Sequence, residues 1–379
     1  METSHDKSTM AETELKPIQI ADSMPNMPRI HSIVSTDEMA SLNTQPIFRT
    51  SPYLALSIVD GEETFLPCYM PLADHIKSLG VDGSYTVLST HQRRAVFQLG
   101  MHGQRLSHTF QVMMDGRPAE TDAQLTFMSQ ETACAWLESV LPRVINAYES
   151  SANPPVESDE RTPCQYRIAI HIAVPTAAVS IHIGPMHIAC EECSSVEIDV
   201  RPGQREYSDA KNSRWLLDRT RYTPAHTGIN ETVLFDEATG VITEGLSSNF
   251  FVIKDRKVLT AVGGVVEGTV RAILLETAQE LGYEIVPEVN VADLTPDAAV
   301  VITSTSRYVL PVSAAHILGT NASVVHFNVQ ACRELQGATI SAMGRSCTVL
   351  QGLSIKGGKE HVWSSSPILN ILEKAGDSV

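Results

Sequence analysis

The stretch from Asp209 to Phe251 concentrates the residues best suited to chemistry. It opens with DAKNSRWLLDR, which sets Lys211 in a polar run ahead of larger residues. It closes with VITEGLSSNFFVI, which sets Glu244 between two β-rich runs and ahead of small polar residues. A lysine is a nucleophile or a base only when neutral, and neutrality at ordinary pH requires burial and nearby positive charge. A carboxylate set apart from it can hold a proton on a basic ring atom.

Three other segments offer groups for an anion. Arg105 stands in HGQRL, at the expected start of a helix. EGTVR, residues 267–271, places Gly268, Thr269 and Val270 at the head of a long helix. Free backbone N–H groups and the helix dipole favour phosphate at such an end. TSTSR, residues 303–307, closes an apolar strand with Thr305, Ser306 and Arg307, so that hydroxyls and a guanidinium can reach a cleft. An aldehyde cofactor carrying a phosphate and a basic ring nitrogen would use every one of these groups.

Regular elements must carry these residues. YLALSIVD, GEETFLPCYMPL and the pair Tyr85–Thr90 and Ala95–Leu99 read as strands, the last two as a hairpin. A helix follows, with Leu106, Phe110 and Met113 at helical spacing. Thr132–Tyr148 is a second helix, which Pro142 is expected to kink or break. RIAIHIAV and VSIHI are strands, as are VEIDV, ETVLFD, FFVIKD and AAVVITST. VEGTVRAILLETAQELG is the clearest helix, closed by Gly282, and Asn328–Met343 is a final one. The expected organisation is a disordered or extended tail over 1–49 with a short helix near Thr36–Leu42, a small domain over 50–183, and a linker over 184–195. A larger domain over 196–345 and a C-terminal extension over 346–379 complete it.

In the order of DGSYTVL, HGQRL, AKNSRWL, EGLSSNFF, EGTVR and TSTSRYVLPV, the chain resembles the class-IV aminotransferases, fold-type IV pyridoxal-phosphate enzymes that include branched-chain and D-amino acid aminotransferases. The resemblance implies an α+β or α/β fold of two domains, a small N-terminal and a larger C-terminal α/β domain, with the cofactor between them. It implies pyridoxal 5'-phosphate as cofactor, and amino transfer between an amino acid, branched-chain-like or other, and a 2-oxo acid. Lys211 matches the Schiff-base lysine and Glu244 the carboxylate paired with the ring nitrogen. Arg105, Gly268, Thr269, Val270 and Thr305 match the phosphate site, and Tyr85, Ser306 and Arg307 the substrate side. The family usually forms homodimers. Leu246 stands where relatives carry a small residue, Leu216 where branched-chain enzymes carry a tyrosine, and Ser89 where they carry an arginine. Two other readings use the same features: an aminodeoxychorismate-lyase type that releases pyruvate, and an inactive cofactor-binding scaffold.

Composition limits the partners. Over 379 residues the net charge is −16, which disfavours a general affinity for nucleic acid or anionic lipid but leaves room for a local basic pocket. No apolar run is long enough to cross a membrane, and seven scattered cysteines read as reduced thiols in a cytoplasmic protein. His187, Cys190 and Cys193 in HIACEEC have a spacing that could hold zinc or form a redox dithiol. Without a second ligand pair nearby they read as free thiols in a connecting segment, and no metal is expected. His171 and His182, in strand-like runs, read as packing residues.

Overall fold

The computed structural model describes residues 52–151, 165–186, 195–222, 224, 227–318 and 322–354. The tail over 1–49, the HIACEEC segment and the chain after Ser354 lie outside these residues.

Alternating and β-branched runs pair into a first sheet with the order β16-β4-β3-β5-β6-β1-β2. Its strands are β1 (Tyr53–Val59), β2 (Glu62–Cys68), β3 (Gly83–His91), β4 (Ala95–Phe97), β5 (Gln165–Ala173), β6 (Val179–Met186) and β16 (Cys347–Val349). Side chains alternate across a strand. Ile168, Ile170 and Ile172 of β5 therefore share one face with Leu88 of β3, and helices α2 (Leu99–Met114) and α4 (Gln130–Ser150) cover that face through Leu106, Phe110, Leu137, Leu141 and Val144. The opposite face presents Tyr85, with Val87 paired to Ala169. Tyr85 and Ala169 pack there with Leu216 and with Leu72 and Ile76 of α1 (Leu72–Ser78). A short helix α3 (Asp122–Thr126) precedes α4 and carries a capping box from Thr121.

Two helix boundaries differ from expectation. Helix α2 begins at Leu99, so Arg105 lies inside the helix and not at its start. Leu99, Leu106 and Phe110 all belong to the buried face, which extends the helical period upstream of the polar HGQ. Gly103 lets α2 approach α4, because a Cβ there would sit 2.3 Å from Cys134 Sγ. Helix α4 runs through Pro142 without a break. The proline costs roughly 3 kcal/mol, whereas burying Leu137, Leu141, Val144 and Tyr148 on the same face contributes about 1.5–3 kcal/mol for each large apolar side chain.

The second sheet has the order β12-β11-β10-β13-β14-β7-β8-β9, with β15 added on β14. Its strands are β7 (Val196–Pro202), β8 (Ile229–Phe235), β9 (Ile242–Gly245), β10 (Asn249–Lys254), β11 (Lys257–Leu259), β12 (Glu284–Val286), β13 (Ala299–Ser304), β14 (Tyr308–Ile317) and β15 (Ser323–His326). Strand β7 runs parallel to β8 and β14, while β10, β13 and β14 are antiparallel neighbours. Helices α6 (Thr269–Glu280) and α7 (Arg333–Arg345) cover one face through Ile273, Leu274, Leu335 and Met343. Gly282, with φ of 77°, ends the α6 segment as expected. The expected last helix divides into a 3₁₀ turn over Val329–Cys332 followed by α7. After it, β16 returns to pair with β4 of the first sheet, a strand that the weak pattern there did not announce.

The two sheets meet through polar contacts as well as apolar ones. Tyr308 Oη donates to Gln165 Oε1 at 2.7 Å, and the segment around Lys211 lies along the start of β3. The expected packing histidines are held in this way: His171 Nε2 is 3.1 Å from Ser213 Oγ, and His182 Nε2 is 3.0 Å from Met70 O. Burial pushes both down to about 4, so both are neutral at neutral pH. Leu137, with no exposed surface, is the anchor of α4 on the first sheet. Leu137→Ala is expected to cost about 2–5 kcal/mol, in the range of large-to-small core changes, read as a lower urea midpoint with an unchanged slope.

Candidate active site

The lysine segment is pinned on both sides by backbone geometry. Tyr85 N–H donates to Lys211 O at 3.0 Å, and Ser213 N–H donates to Gly83 O at 2.8 Å. Gly83 N–H donates to Ser213 Oγ at 2.9 Å, and Lys211 N–H donates to Thr109 Oγ1 of α2 at 3.0 Å. Gly83 is required at this crossing, since a Cβ would lie 2.3 Å from Ile172 O. These bonds fix where the Lys211 side chain starts. Its Nζ ends 5.0 Å from the centre of the Tyr85 ring. Trp215, at the head of the short helix α5 (Trp215–Asp218), closes the segment from behind, and its Nε1 donates to Leu246 O at 2.8 Å.

Glu244 sits on β9, opposite Asn249 of β10. Its carboxylate is buried, with Oε1 3.2 Å from Arg205 Nη1 and Oε2 accepting from Val266 N–H at 3.0 Å. Between β9 and β10 the EGLSSN turn is held by its backbone: Leu246 N–H donates to Thr232 O at 2.9 Å, and Leu246 O accepts from Trp215. The unexpected side chain at 246 thus leaves the turn's main hydrogen bonds intact. Leu216 packs on Tyr85, Leu72 and Ile76, so the hydroxyl that a tyrosine would bring is replaced by an apolar contact.

A third group gathers at the start of α6. Gly268 is its N-cap without a side-chain cap, and the first closing bond runs from Ala272 N–H to Gly268 O. The N–H groups of Thr269 and Val270 precede that bond and have no partner within the helix. A Cβ on Gly268 would lie 2.1 Å from Asn249 Oδ1, while Asn249 Nδ2 donates to Val266 O at 2.8 Å. Arg105 reaches across from α2 and donates through Nη2 to Glu267 O at 2.6 Å. Thr303 Oγ1 is buried without a hydrogen-bond partner among the described residues.

The TSTSR loop is tied to a carboxylate that sequence reasoning passed over. Glu231 of β8 is buried and accepts from the hydroxyls of Ser247 and Ser248 at 2.7 and 2.9 Å. Arg307 Nη1 lies 3.4 Å from the same oxygen of Glu231 and donates to Ser247 Oγ at 3.0 Å. Its Nε donates to Asn230 Oδ1 at 3.0 Å. Ser306 Oγ is 3.5 Å from Ser304 Oγ.

Lys211, Arg105, Glu244, Gly268, Thr269, Val270, Thr305, Tyr85, Ser306 and Arg307, all singled out from the sequence, line a single cavity of about 550 Å³. Arg167, Arg205 and Arg219 line it too, so its walls carry a clear excess of positive charge over the one carboxylate of Glu244. Arg205 and Glu231 were missed because an isolated charge beside a turn or in a strand reads as a solvated one. The signal available was a glutamate directly ahead of the apolar TVLF run of β8.

The electrostatics follow from this placement. Burial, then Arg105 and Arg205, hold Lys211 well below the usual lysine range, against the pull of Glu244. Burial pushes the Glu244 carboxyl up, and Arg205 chiefly opposes that rise. Burial brings Arg105 down to about 10, so it stays charged at neutral pH.

Residues 83–315, more than half of the chain, match the family described as amino-transferase class IV. This chain belongs to the class IV aminotransferase family. Solved structures share its fold. A candidate branched-chain amino acid aminotransferase from Thermotoga maritima is 19% identical, over 76% of this chain and 96% of its own, with a TM-score of 0.52. A fold IV-transaminase from Curtobacterium pusillum is 17% identical, over 76% and 99%, with a TM-score of 0.55. A hypothetical aminotransferase from Mycobacterium tuberculosis, bound to α-ketoglutarate and PMP, is 19% identical, over 76% and 98%, with a TM-score of 0.54. At these identities the likeness establishes the two-domain fold of fold-type IV members, as expected from the resemblance. No curated protein matches the chain.

The lowered Lys211 has a direct consequence in this family member. Between its depressed value and the ordinary lysine value near 10.4, Lys211 is neutral while surface lysines remain charged. Brief treatment with a small amine-directed reagent at neutral pH is expected to label Lys211 ahead of Lys257, which stands exposed beside Glu284, as read by peptide mass spectrometry. Equal labelling of the two would contradict the buried, neutral amine.

Proposed function

We propose that this family member is a pyridoxal-phosphate-dependent transaminase that moves an amino group between an amino acid and a 2-oxo acid, with Lys211 as the residue that bonds the cofactor. The observation that carries the reading is the arrangement in one cavity of a charge-suppressed lysine, a buried carboxylate and a helix start faced by an arginine. The M. tuberculosis relative, solved with PMP, supports the choice of cofactor.

The donor set fits that cofactor. Thr269 and Val270 N–H, Arg105 and the Thr305 hydroxyl would hold the phosphate, with Gly268 letting the helix start pack closely on Asn249. Glu244 would hold a proton on the ring nitrogen. Pyridoxal phosphate, when bound, supplies an electrophilic aldehyde and a ring that withdraws electrons from the substrate Cα.

This chain's residues do the remaining work. Lys211 Nζ, neutral in its buried setting, can take the proton from the substrate Cα and, once charged, return it. Burial and the arginines Arg105 and Arg205 keep that amine a base, and Tyr85 fills the wall beside it. Arg205 and Val266 N–H, which bond its two oxygens, favour the carboxylate form of Glu244 and so its role as an acceptor. Arg307 and Ser306 form the wall on the substrate side, with Arg307 oriented by Glu231 and Asn230. Arg167 and Arg219 add positive charge for the carboxylates of the amino acid and the oxo acid.

The proposal extends to the domain division, with a small domain over 50–183 and a cofactor-binding domain over 196–345. The two sheets and their separate cores support it. It extends as well to a homodimer, supported by family membership, and to a cytoplasmic location, supported by the thiols of Cys134, Cys332 and Cys347, which form no disulfide among the described residues. Among the described residues, no helix is long and apolar enough to cross a membrane.

Reconstitution with pyridoxal phosphate is expected to give a visible absorption band that Lys211→Ala loses. With an amino donor and an added oxo acid, amino transfer is expected to be stoichiometric. A band retained in Lys211→Ala would contradict the assignment of the lysine. Pyruvate released without an acceptor would place the protein with the lyases.

A further inference from the structure

We propose that Arg205 is a positioning residue of this site: its guanidinium fixes the Glu244 carboxylate in place and supplies its counter-charge, so that Glu244 faces the cavity as a carboxylate. Among the described residues Arg205 is the one cation within ion-pair distance of Glu244, at 3.2 Å, and both side chains are only 5% exposed. An ionised carboxylate that deep is stable only when paired and hydrogen-bonded. Val266 N–H provides one bond at 3.0 Å but no charge. The other charged groups acting on Glu244 are Lys211, Arg105 of α2 and Arg271 of α6. Lys211 is held well below the usual lysine range and makes no ion pair with Glu244, Arg105 donates to Glu267 O, and Arg271 donates to Ala261 O at 3.0 Å. None of these replaces a direct partner.

Arg205 is itself locked by the lysine segment. Its Nη2 donates to Ala210 O at 2.9 Å, one residue before Lys211, and its guanidinium stacks 5.1 Å from the centre of the Trp215 ring, just beyond that lysine. Trp215 in turn holds Leu246 O in the turn after Glu244. The guanidinium therefore ties the position of the lysine backbone to the position of the carboxylate. Its Nε, buried without a hydrogen-bond partner among the described residues, shows that the group is placed for Glu244, Ala210 and the ring rather than for full solvation. Arginine suits this role because its planar fork can serve an acceptor on each side while its face stacks.

The meaning of this role for catalysis rests on the proposed cofactor reading, but its test does not. The apo-protein, labelled with ¹³C at the glutamate side-chain carboxyl and assigned with Glu244→Gln, is titrated by NMR as wild type, Arg205→Lys and Arg205→Met. Glu244 is expected to titrate about one pH unit or more higher in Arg205→Met, the effect of losing an opposite charge at this distance. Arg205→Lys is expected to stay close to wild type. If the Met variant does not fold, Arg205→Gln, which removes the charge but keeps a polar amide, gives the same comparison. Unchanged titration of Glu244 in a folded charge-removing variant would overturn the proposal, as would a Lys variant that behaves like Met. With cofactor added, the charge-removing variant should also shift the pH profile of the visible band. A wild-type protein that shows no band overturns the cofactor reading and leaves the carboxyl titration to decide the role of Arg205.

Discussion

A surplus of positive charge has to be kept at the bottom of a cavity, in a protein whose net charge is −16. Lys211, Arg105, Arg205, Arg167, Arg219 and Arg307 all face or border one space, with Glu244 as the carboxylate in its wall. Crowding cations in a poorly solvated place is costly, and two outcomes relieve it. The most easily discharged group gives up its proton, and an anion is attracted from outside. In the proposed function, the first outcome makes Lys211 a base, and the second makes the cavity a receptor for phosphate and carboxylate. One arrangement of charge thus accounts for reactivity and for binding.

The arrangement exists only because the two sheets meet at the lysine. Backbone bonds from Gly83, Tyr85 and Ser213 lay the segment over 211–213 along the start of β3, while Glu244 belongs to the second sheet and Gly268 to the helix packed on it. A one-residue slip in β3 would turn Tyr85 away from the lysine and bring a core-facing neighbour to the cavity. The close approaches at Gly83 and Gly268 have the same character, since a single methyl group at either would force backbone or Asn249 to move.

Much of this was legible in the sequence, for physical reasons that can be named. The residues with distinctive chemistry stand in short motifs beside strong periodic signals: Gly268 ahead of α6, Thr305 after β13, Lys211 ahead of Trp215. Helix and strand periods placed those elements, and a family resemblance placed the motifs in one cavity. What was not legible depends on contacts between distant segments. Arg205 carries no local signal, because nothing nearby in the sequence reveals Glu244, Ala210 and Trp215 around its guanidinium. Glu231 gains its meaning only from Ser247, Ser248 and Arg307, which converge on it from distant segments. Pro142 looked like a helix break because the strength of the buried face on α4 is a tertiary quantity. Strand β16 has too few residues to show a period before β4 is there to pair with it.

In the proposed function Lys211 is the amine to which the cofactor is joined, and chemical trapping puts this to the test. The protein loaded with pyridoxal phosphate is reduced with borohydride, digested, and mapped by peptide mass spectrometry. A phosphopyridoxyl group is expected on the peptide containing Lys211 and on no other lysine in stoichiometric amount. A label on a different lysine, or a loaded protein that reduction leaves unlabelled, would contradict it.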